Sequence, residues 1–257
     1  MAESRGAFIV PALDEGAAIA GCLQALAAAR ARGCEVIVVD GGSTDATIER
    51  ARPLADRVTS APRGRAAQMN AGAALTRADW LCFVHADTRV PDDVDLRIAA
   101  ALAPEESGAQ CAPYANDDGA RCAPYEWFGW GRFDVRFDIA GPLLRMVAGA
   151  MNLRSRLSGI ATGDQALFVT RALFERVGGF APIGLMEDVE LSRALKRHVR
   201  PQCLRARVTT SSRRWRRNGV ARTVWKMWRL RARHALGADP ARLAAEYGPC
   251  PSPDSES

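Results

Sequence analysis

"DWLCFVHADTRVP" (Asp79–Pro91) begins as a buried strand and ends in polar side chains. Leu81, Cys82, Phe83 and Val84 form an unbroken apolar run, as expected of a strand covered on both faces. His85 and Asp87 follow where the cover ends, and extended backbone turns residues two apart to the same side. The same grammar occurs upstream. "AFIVPAL" (Ala7–Leu13) is an apolar run that leads into Asp14 and Glu15, and "EVIVVD" (Glu35–Asp40) leads into "GGSTD". A shorter strand is expected at "DRVTS". Helices are expected between them. "EGAAIAGCLQALAAARARG" carries Ile19, Cys22, Leu23 and Leu26 on one face and Gly33 at its end. "GGSTDATIERARPLA" offers Ser43 or Thr44 as a cap. "GRAAQMNAGAALT" and "PDDVDLRIAAALA" complete the series. This strand–helix alternation predicts an α/β fold with a mostly parallel, doubly wound sheet, whose ligands sit at the carboxyl ends of the strands. The clusters "PALDEG", "DGGSTD" and "HADT" fall at those ends. Singly, Asp14 and Asp40 could equally be turn or cap residues.

The 257 residues, 48% hydrophobic and 25% charged, suffice for one large or two small domains. The formal charge of +6 is unevenly spread. Between Glu190 and Asp239 there is no acidic residue, and arginines and lysines crowd the interval, so the rest of the chain is net acidic. Seven scattered cysteines read as reduced thiols of a cytoplasmic protein. The start of the chain does not read as a signal peptide, and no 18-residue window is apolar enough to span a membrane. There is no G-x-G-x-x-G after the first strand and no P-loop, which disfavours a dinucleotide redox cofactor.

Beyond residue 103, "GAQCAPY" (Gly108–Tyr114) recurs as "GARCAPY" (Gly119–Tyr125), a local duplication expected in a surface loop. "WGRFDVRFD" alternates apolar and charged residues and predicts a half-exposed strand. "GPLLRMVAGAMNLRSRLSG" predicts an amphipathic helix, "QALFVT" a strand, "RALFERVGGF" a helix closed by glycines, and "EDVELSRALKRH" a helix with acids in its first turn. "NGVARTVWKMWRLRARHALG" predicts a basic helix, either laid on a membrane through its tryptophans or packed on the body with arginines facing water. "PCPSPDSES" has the composition of a disordered tail.

The segments "FIVPALDEGAAIAGCL", "VIVVDGGSTDAT", "RGRAAQMNAG", "FVHADT", "GDQALFVTRALFERVGGF" and "LMEDVELSRALKR" resemble, in content and order, family 2 glycosyltransferases of the GT-A fold. The resemblance runs from about residue 6 to 235 and is nearest to a small subgroup associated with radical-SAM and selenium-related genes. It implies a single Rossmann-like sheet flanked by helices and one domain over residues 1–236. The donor-binding half would cover about 6–103, the acceptor and catalytic half about 126–212, and a basic C-terminal helix about 213–236. Residues 237–257 would form a tail with a disordered end.

The resemblance also assigns roles. Pro11, Ala12, Leu13 and Glu15 would line the nucleoside pocket, with Asp40 at the base and Gly41 and Ser43 beside it. Arg65 would touch the donor, with Asn70 further along the same helix. The family's D-x-D aligns with His85-Ala86-Asp87, so the first carboxylate is replaced by imidazole. Asp87 would hold the divalent metal, Mn²⁺ or Mg²⁺, and His85 would be a second ligand or a hydrogen bond to the donor. The base would be Asp188, with Glu187 beside it and Asp164 of "TGDQ" on the acceptor side. In "SSRRW", Arg213, Arg214 and Trp215 would close over the diphosphate or simply form a solvated basic face. The implied activity is inverting transfer from a UDP-linked sugar to a small-molecule or lipid-linked acceptor. The implied place is the cytoplasm, with peripheral contact at the inner membrane face through the basic helix. Nucleic acid is not an expected partner. Two alternatives remain: a sugar nucleotidyltransferase, against which the acidic "PALDEGAA" argues, and a non-catalytic RNA-binding protein using the arginine-rich segment.

Overall fold

A computed structural model describes residues 5–103, 129–139 and 141–247. The duplicated "GA-x-CAPY" loop and the "PCPSPDSES" tail lie outside the described residues.

The chain opens with β1 (Gly6–Ala12), buried throughout, then α1 (Gly16–Ala25) and α2 (Ala27–Ala31). Next come β2 (Glu35–Asp40), α3 (Thr47–Ala51), β3 (Arg57–Ser60), α4 (Arg65–Ala74), β4 (Trp80–Phe83), the short β5 (Thr88–Arg89) and α5 (Val94–Leu102). The expected helix after β1 is thus two helices, broken at buried Leu26, with Gly33 in the left-handed region (φ 94°) at the exit. Neither Ser43 nor Thr44 caps α3, whose preceding residue is Ala46. Their hydroxyls instead serve the loops, Ser43 donating to Asp40 and Thr44 to Asp14.

The second half holds β6 (Trp130–Phe137), α6 (Pro142–Ser158), a 3₁₀ turn (Gly163–Gln165), β7 (Leu167–Thr170), α7 (Arg171–Arg176) and α8 (Glu187–Leu195). It ends with β8 (Gln202–Thr210), α9 (Arg213–Asn218), α10 (Val220–Ala235) and α11 (Pro240–Tyr247). One eight-stranded sheet runs β3-β2-β1-β4-β7-β6-β8-β5. The pairs β3–β2, β2–β1, β1–β4 and β6–β8 are parallel, and β7 runs antiparallel to both neighbours. Helices cover two apolar layers, one on Phe8, Val38, Cys82 and Phe133, the other on Ile9, Ile37, Leu81 and Val169.

Three expectations fail. β6 is not half exposed: it lies between β7 and β8, and only Arg136 faces solvent. Its alternating charges are buried as a pair. Arg132 is fully buried and bonds Asp134, which Arg156 also grips through two contacts at 2.9 Å. Such pairing is what makes a buried charge tolerable. β8 carries no long apolar run and has no counterpart among the expected strands, since Arg205 and Arg207 point to solvent. Finally, the segment expected as a tail includes α11, whose Leu243 is buried against Leu230, Met186 and Val189.

Candidate active site

The carboxyl ends of β1, β2 and β4 sit in register. Ala12 pairs with Asp40, Ile9 with Phe83, and the Gly41 N–H donates to the Ala12 carbonyl at 2.9 Å. Gln68 of α4 locks this end from inside, its Nε2 donating to the carbonyls of Ala12 (2.7 Å) and Val39 (2.8 Å). Gly41 is constrained by it, because a Cβ there would come within 3.0 Å of Gln68 Nε2. Pro11 and Ala12 close β1 beside Val39 and Asp40 of β2, and Leu13 follows directly.

Buried Asp40 spends its carboxylate on the turn. Oδ2 accepts from the N–H groups of Gly42 (2.8 Å) and Ser43 (3.0 Å), and Oδ1 accepts from the Ser43 hydroxyl. Asp14, in the left-handed region at φ 52°, is held by the Thr44 N–H at 2.8 Å. Asn70 is engaged with the loop before α8. Its amide donates to the Phe180 carbonyl at 2.9 Å and accepts from the Phe180 N–H at 3.0 Å, pinning the loop that leads to α8.

Past β4, Asp87, His85 and Ala86 enter a crowded cleft. Desolvation and the nearby Asp164 charge push the Asp87 carboxyl above its ordinary range, against the pull of His85, Arg213 and Arg65. His85 Nδ1 lies 3.4 Å from Asp164 Oδ1. Although desolvation opposes it, the His85 hydrogen bond and the charges of His85, Arg65 and Arg214 hold Asp164 below its usual range. Gly163 makes room for this pair, since a Cβ there would fall 2.3 Å from His85 Nε2. Gln68 and Gly163 are the residues that sequence reasoning missed. Both lie in quoted segments, but only packing assigns their roles.

Asp188 opens α8 after Met186, a left-handed residue at φ 69°. Its Oδ2 accepts from the Gly163 N–H at 2.8 Å and its Oδ1 from the Val189 N–H at 2.7 Å. Burial and the adjacent Glu187 charge nevertheless raise it to about 6. Asp188, Glu187, His85, Gly163, Met69 and Phe180 line one narrow pocket. Crowding works against charge on Arg65, but Glu187, Asp164 and Asp188 outweigh it and hold the guanidinium protonated.

From far along the chain, Arg213 reaches the loops after β1 and β4. Its Nη2 donates to Glu15 Oε2 at 2.7 Å and lies 3.9 Å from Asp87 Oδ2. Desolvation raises the Glu15 carboxyl in spite of that contact. Arg214 lies 4.2 Å over the Tyr247 ring, and Trp215 meets Phe137 edge-on with centroids 5.4 Å apart. Arg213 therefore turns into the cleft, and Trp215 packs on the end of β6.

Residues 7–158 match the model of glycosyl transferase family 2. The chain belongs to that family. That family's description names glycosyl transfer, neither nucleotidyl transfer nor RNA binding. Curated relatives include PGL/p-HBAD biosynthesis glycosyltransferases of Mycobacterium bovis and Mycobacterium tuberculosis, 31% identical over 114 residues. That match covers 41% of this chain and 44% of each relative, so the chain spans less than half the length of the curated relatives it matches. Among solved structures, S. aureus TarS 1–349 in complex with UDP superposes with a TM-score of 0.57 at 18% identity, over 80% of this chain and 60% of that one. Glucosyl-3-phosphoglycerate synthase from Mycobacterium tuberculosis, in complex with Mn²⁺, UDP and glucosyl-3-phosphoglycerate, superposes with a TM-score of 0.54 at 17% identity, over 81% of this chain and 71% of that one. The GT-A fold expected of the chain is thereby established.

Among the described residues no three His, Cys, Asp or Glu side chains form a metal cage. Asp87 and His85 nonetheless suit a cation that takes its other ligands from diphosphate oxygens and water, the usual habit of Mg²⁺ at phosphate sites. Desolvated Asp87 beside Asp164 is a place where added positive charge is favourable. Among the described residues no helix is long and apolar enough to cross a membrane.

Proposed function

We propose that this glycosyltransferase moves a sugar from a UDP-linked donor to an acceptor hydroxyl with inversion, Asp188 being the general base. The observation that carries the reading is the setting of Asp188. Two backbone N–H groups aim it, and burial beside Glu187 lifts it to about 6. A base is most effective with a pKa near the working pH.

In this reading Pro11, Ala12, Leu13, Asp40, Gly41 and Ser43 line the nucleoside crevice, and Arg65, Arg213 and Arg214 face the diphosphate. Asp87 and His85 would hold Mn²⁺ or Mg²⁺, which when bound supplies positive charge to the departing phosphate oxygens. Asp188 accepts the acceptor's hydroxyl proton as the oxygen attacks the anomeric carbon. The bond from that carbon to the diphosphate oxygen breaks on the opposite face. Asp164 holds His85, and Arg213 exchanges Glu15 for the diphosphate. The acceptor is a small molecule or a lipid-linked hydroxyl, reached at the cytoplasmic membrane face through α10. UDP in both structural neighbours supports the donor class. A panel of UDP-sugars, with and without Mn²⁺, tests it by UDP release and a thermal shift. Metal-dependent stabilisation by UDP and turnover of one sugar are expected; stabilisation by no UDP compound would sink the reading.

A further inference from the structure

The α6 helix is amphipathic in an unusual sense. Leu144, Val147 and Ala148 face the core, yet Leu143, Met146, Leu153 and Leu157 are 49 to 79% exposed. With exposed Ala150 they recur at alternating three- and four-residue steps, so they form one continuous apolar stripe. α6 has no acidic residue, and Arg145 is exposed beside the stripe.

The α10 helix has a matching outer face. Val220, Val224 and Leu230 hold it to the body, whereas Trp225 and Trp228 are 62% and 71% exposed. Arg222, Trp225 and Arg229 follow at three- and four-residue steps, and Arg229 lies 4.8 Å over the Trp225 ring. Arg222, Trp225, Lys226, Arg229 and Glu246 line a groove between α10 and α11. Tryptophan and arginine together suit the boundary between head groups and acyl chains.

The two faces spring from one end of the sheet. Phe137 of β6 pairs with Thr210 of β8, and the Ser212 N–H donates to Asp138 at 2.9 Å. α6 and α9 therefore start from neighbouring strand ends, with α10 following α9, at the edge where Thr88, next to Asp87, pairs with Thr210.

We propose that the outer faces of α6 and α10 form one surface that binds an anionic lipid bilayer. The charge selects this occupant. A second copy laid on α6 would set arginine against arginine, whereas an anionic leaflet complements Arg145, Arg216 and Arg222, Arg229 being paired with Glu246, and accepts the leucines and tryptophans. The surface deepens the membrane contact of the glycosyltransferase reading and rests on it only for the consequence that the cleft meets its acceptor at the bilayer.

Co-sedimentation of the full chain with vesicles of phosphatidylcholine alone, or mixed with phosphatidylglycerol, tests it. Binding to the mixed vesicles is expected, weakened by salt. Partition should fall about tenfold or more in W225A/W228A and in M146Q/L153Q, both surface variants. UDP affinity, measured without lipid, should stay unchanged in both. Equal binding to neutral vesicles, or undiminished binding by both variants, overturns the proposal. So does a wild-type dimer in analytical ultracentrifugation that M146Q/L153Q dissolves without loss of vesicle binding. If vesicle binding behaves as expected but the wild type ignores UDP, the donor-site reading fails and the lipid surface stands.

Discussion

Arg213 and Glu15 meet at 2.7 Å although 198 positions separate them in the chain. The contact joins the basic C-terminal segment to the loop after β1, with Asp87 Oδ2 3.9 Å from the same guanidinium nitrogen. Arg213 is thus held by carboxylates, and in the proposed reading a diphosphate competes with them for it.

Arg213→Ala should therefore weaken UDP binding and leave uridine binding nearly untouched. A lost charge-assisted hydrogen bond is worth about 1.5–3 kcal/mol, or roughly ten- to a hundredfold in affinity. Calorimetric titration of UDP and of uridine into both proteins checks it. Equal losses for the two ligands would mean that the substitution had only disturbed the fold around Glu15.

Asp188→Asn should leave UDP affinity intact and cut turnover by about a hundred- to ten-thousandfold. For the wild type, kcat/KM should fall below an apparent pKa of about 6, because protonated Asp188 cannot accept the hydroxyl proton. The stability sign runs with it. A carboxyl raised from 3.8 to about 6 stabilises the fold while protonated and loses that contribution as pH rises through about 6. The Asn variant should then melt no lower than wild type at neutral pH. A variant with normal turnover would move the base to Glu187 or Asp164.

Asp87→Ala should abolish the metal dependence of UDP binding. His85→Asp should keep binding and shift the preference from Mn²⁺ towards Mg²⁺, since oxygen replaces nitrogen. Titrations of UDP with each metal decide both. An unaltered preference in His85→Asp would leave His85 as the partner of Asp164 alone, and unchanged metal dependence in Asp87→Ala would remove the metal site.

Asn70→Ala separates clamp from donor contact. Loss of both bonds to Phe180 should cost about 1–3 kcal/mol of stability, lowering Tm by several degrees. UDP affinity should change little. An unchanged Tm with weakened UDP binding would restore Asn70 to the donor side.

The sequence by itself determined the first half of the sheet. β1, β2 and β4 are buried on both faces, so each had to be an uninterrupted apolar run, and each run ends where polar groups can meet a ligand. The expected alternation that would turn His85 and Asp87 to one side does not hold, because the strand ends at Phe83 and the chain turns at Ala86 and Asp87, the Thr88 N–H donating to the His85 carbonyl at 2.9 Å. Only the tertiary structure decided β6 and β8. Arg132 and Asp134 neutralise each other inside the protein, which a period-two pattern cannot signal, because alternation reports expected exposure and pairing removes the need for it. The arginine-rich segment reads as one basic block, yet packing divides it. Trp215 is drawn onto Phe137 and Arg213 onto Glu15, while Trp225 and Trp228 stay outside because Leu230 occupies the inner face of α10. Those choices depend on partners far away in the chain, and long-range contact is a property of the fold and not of any local stretch.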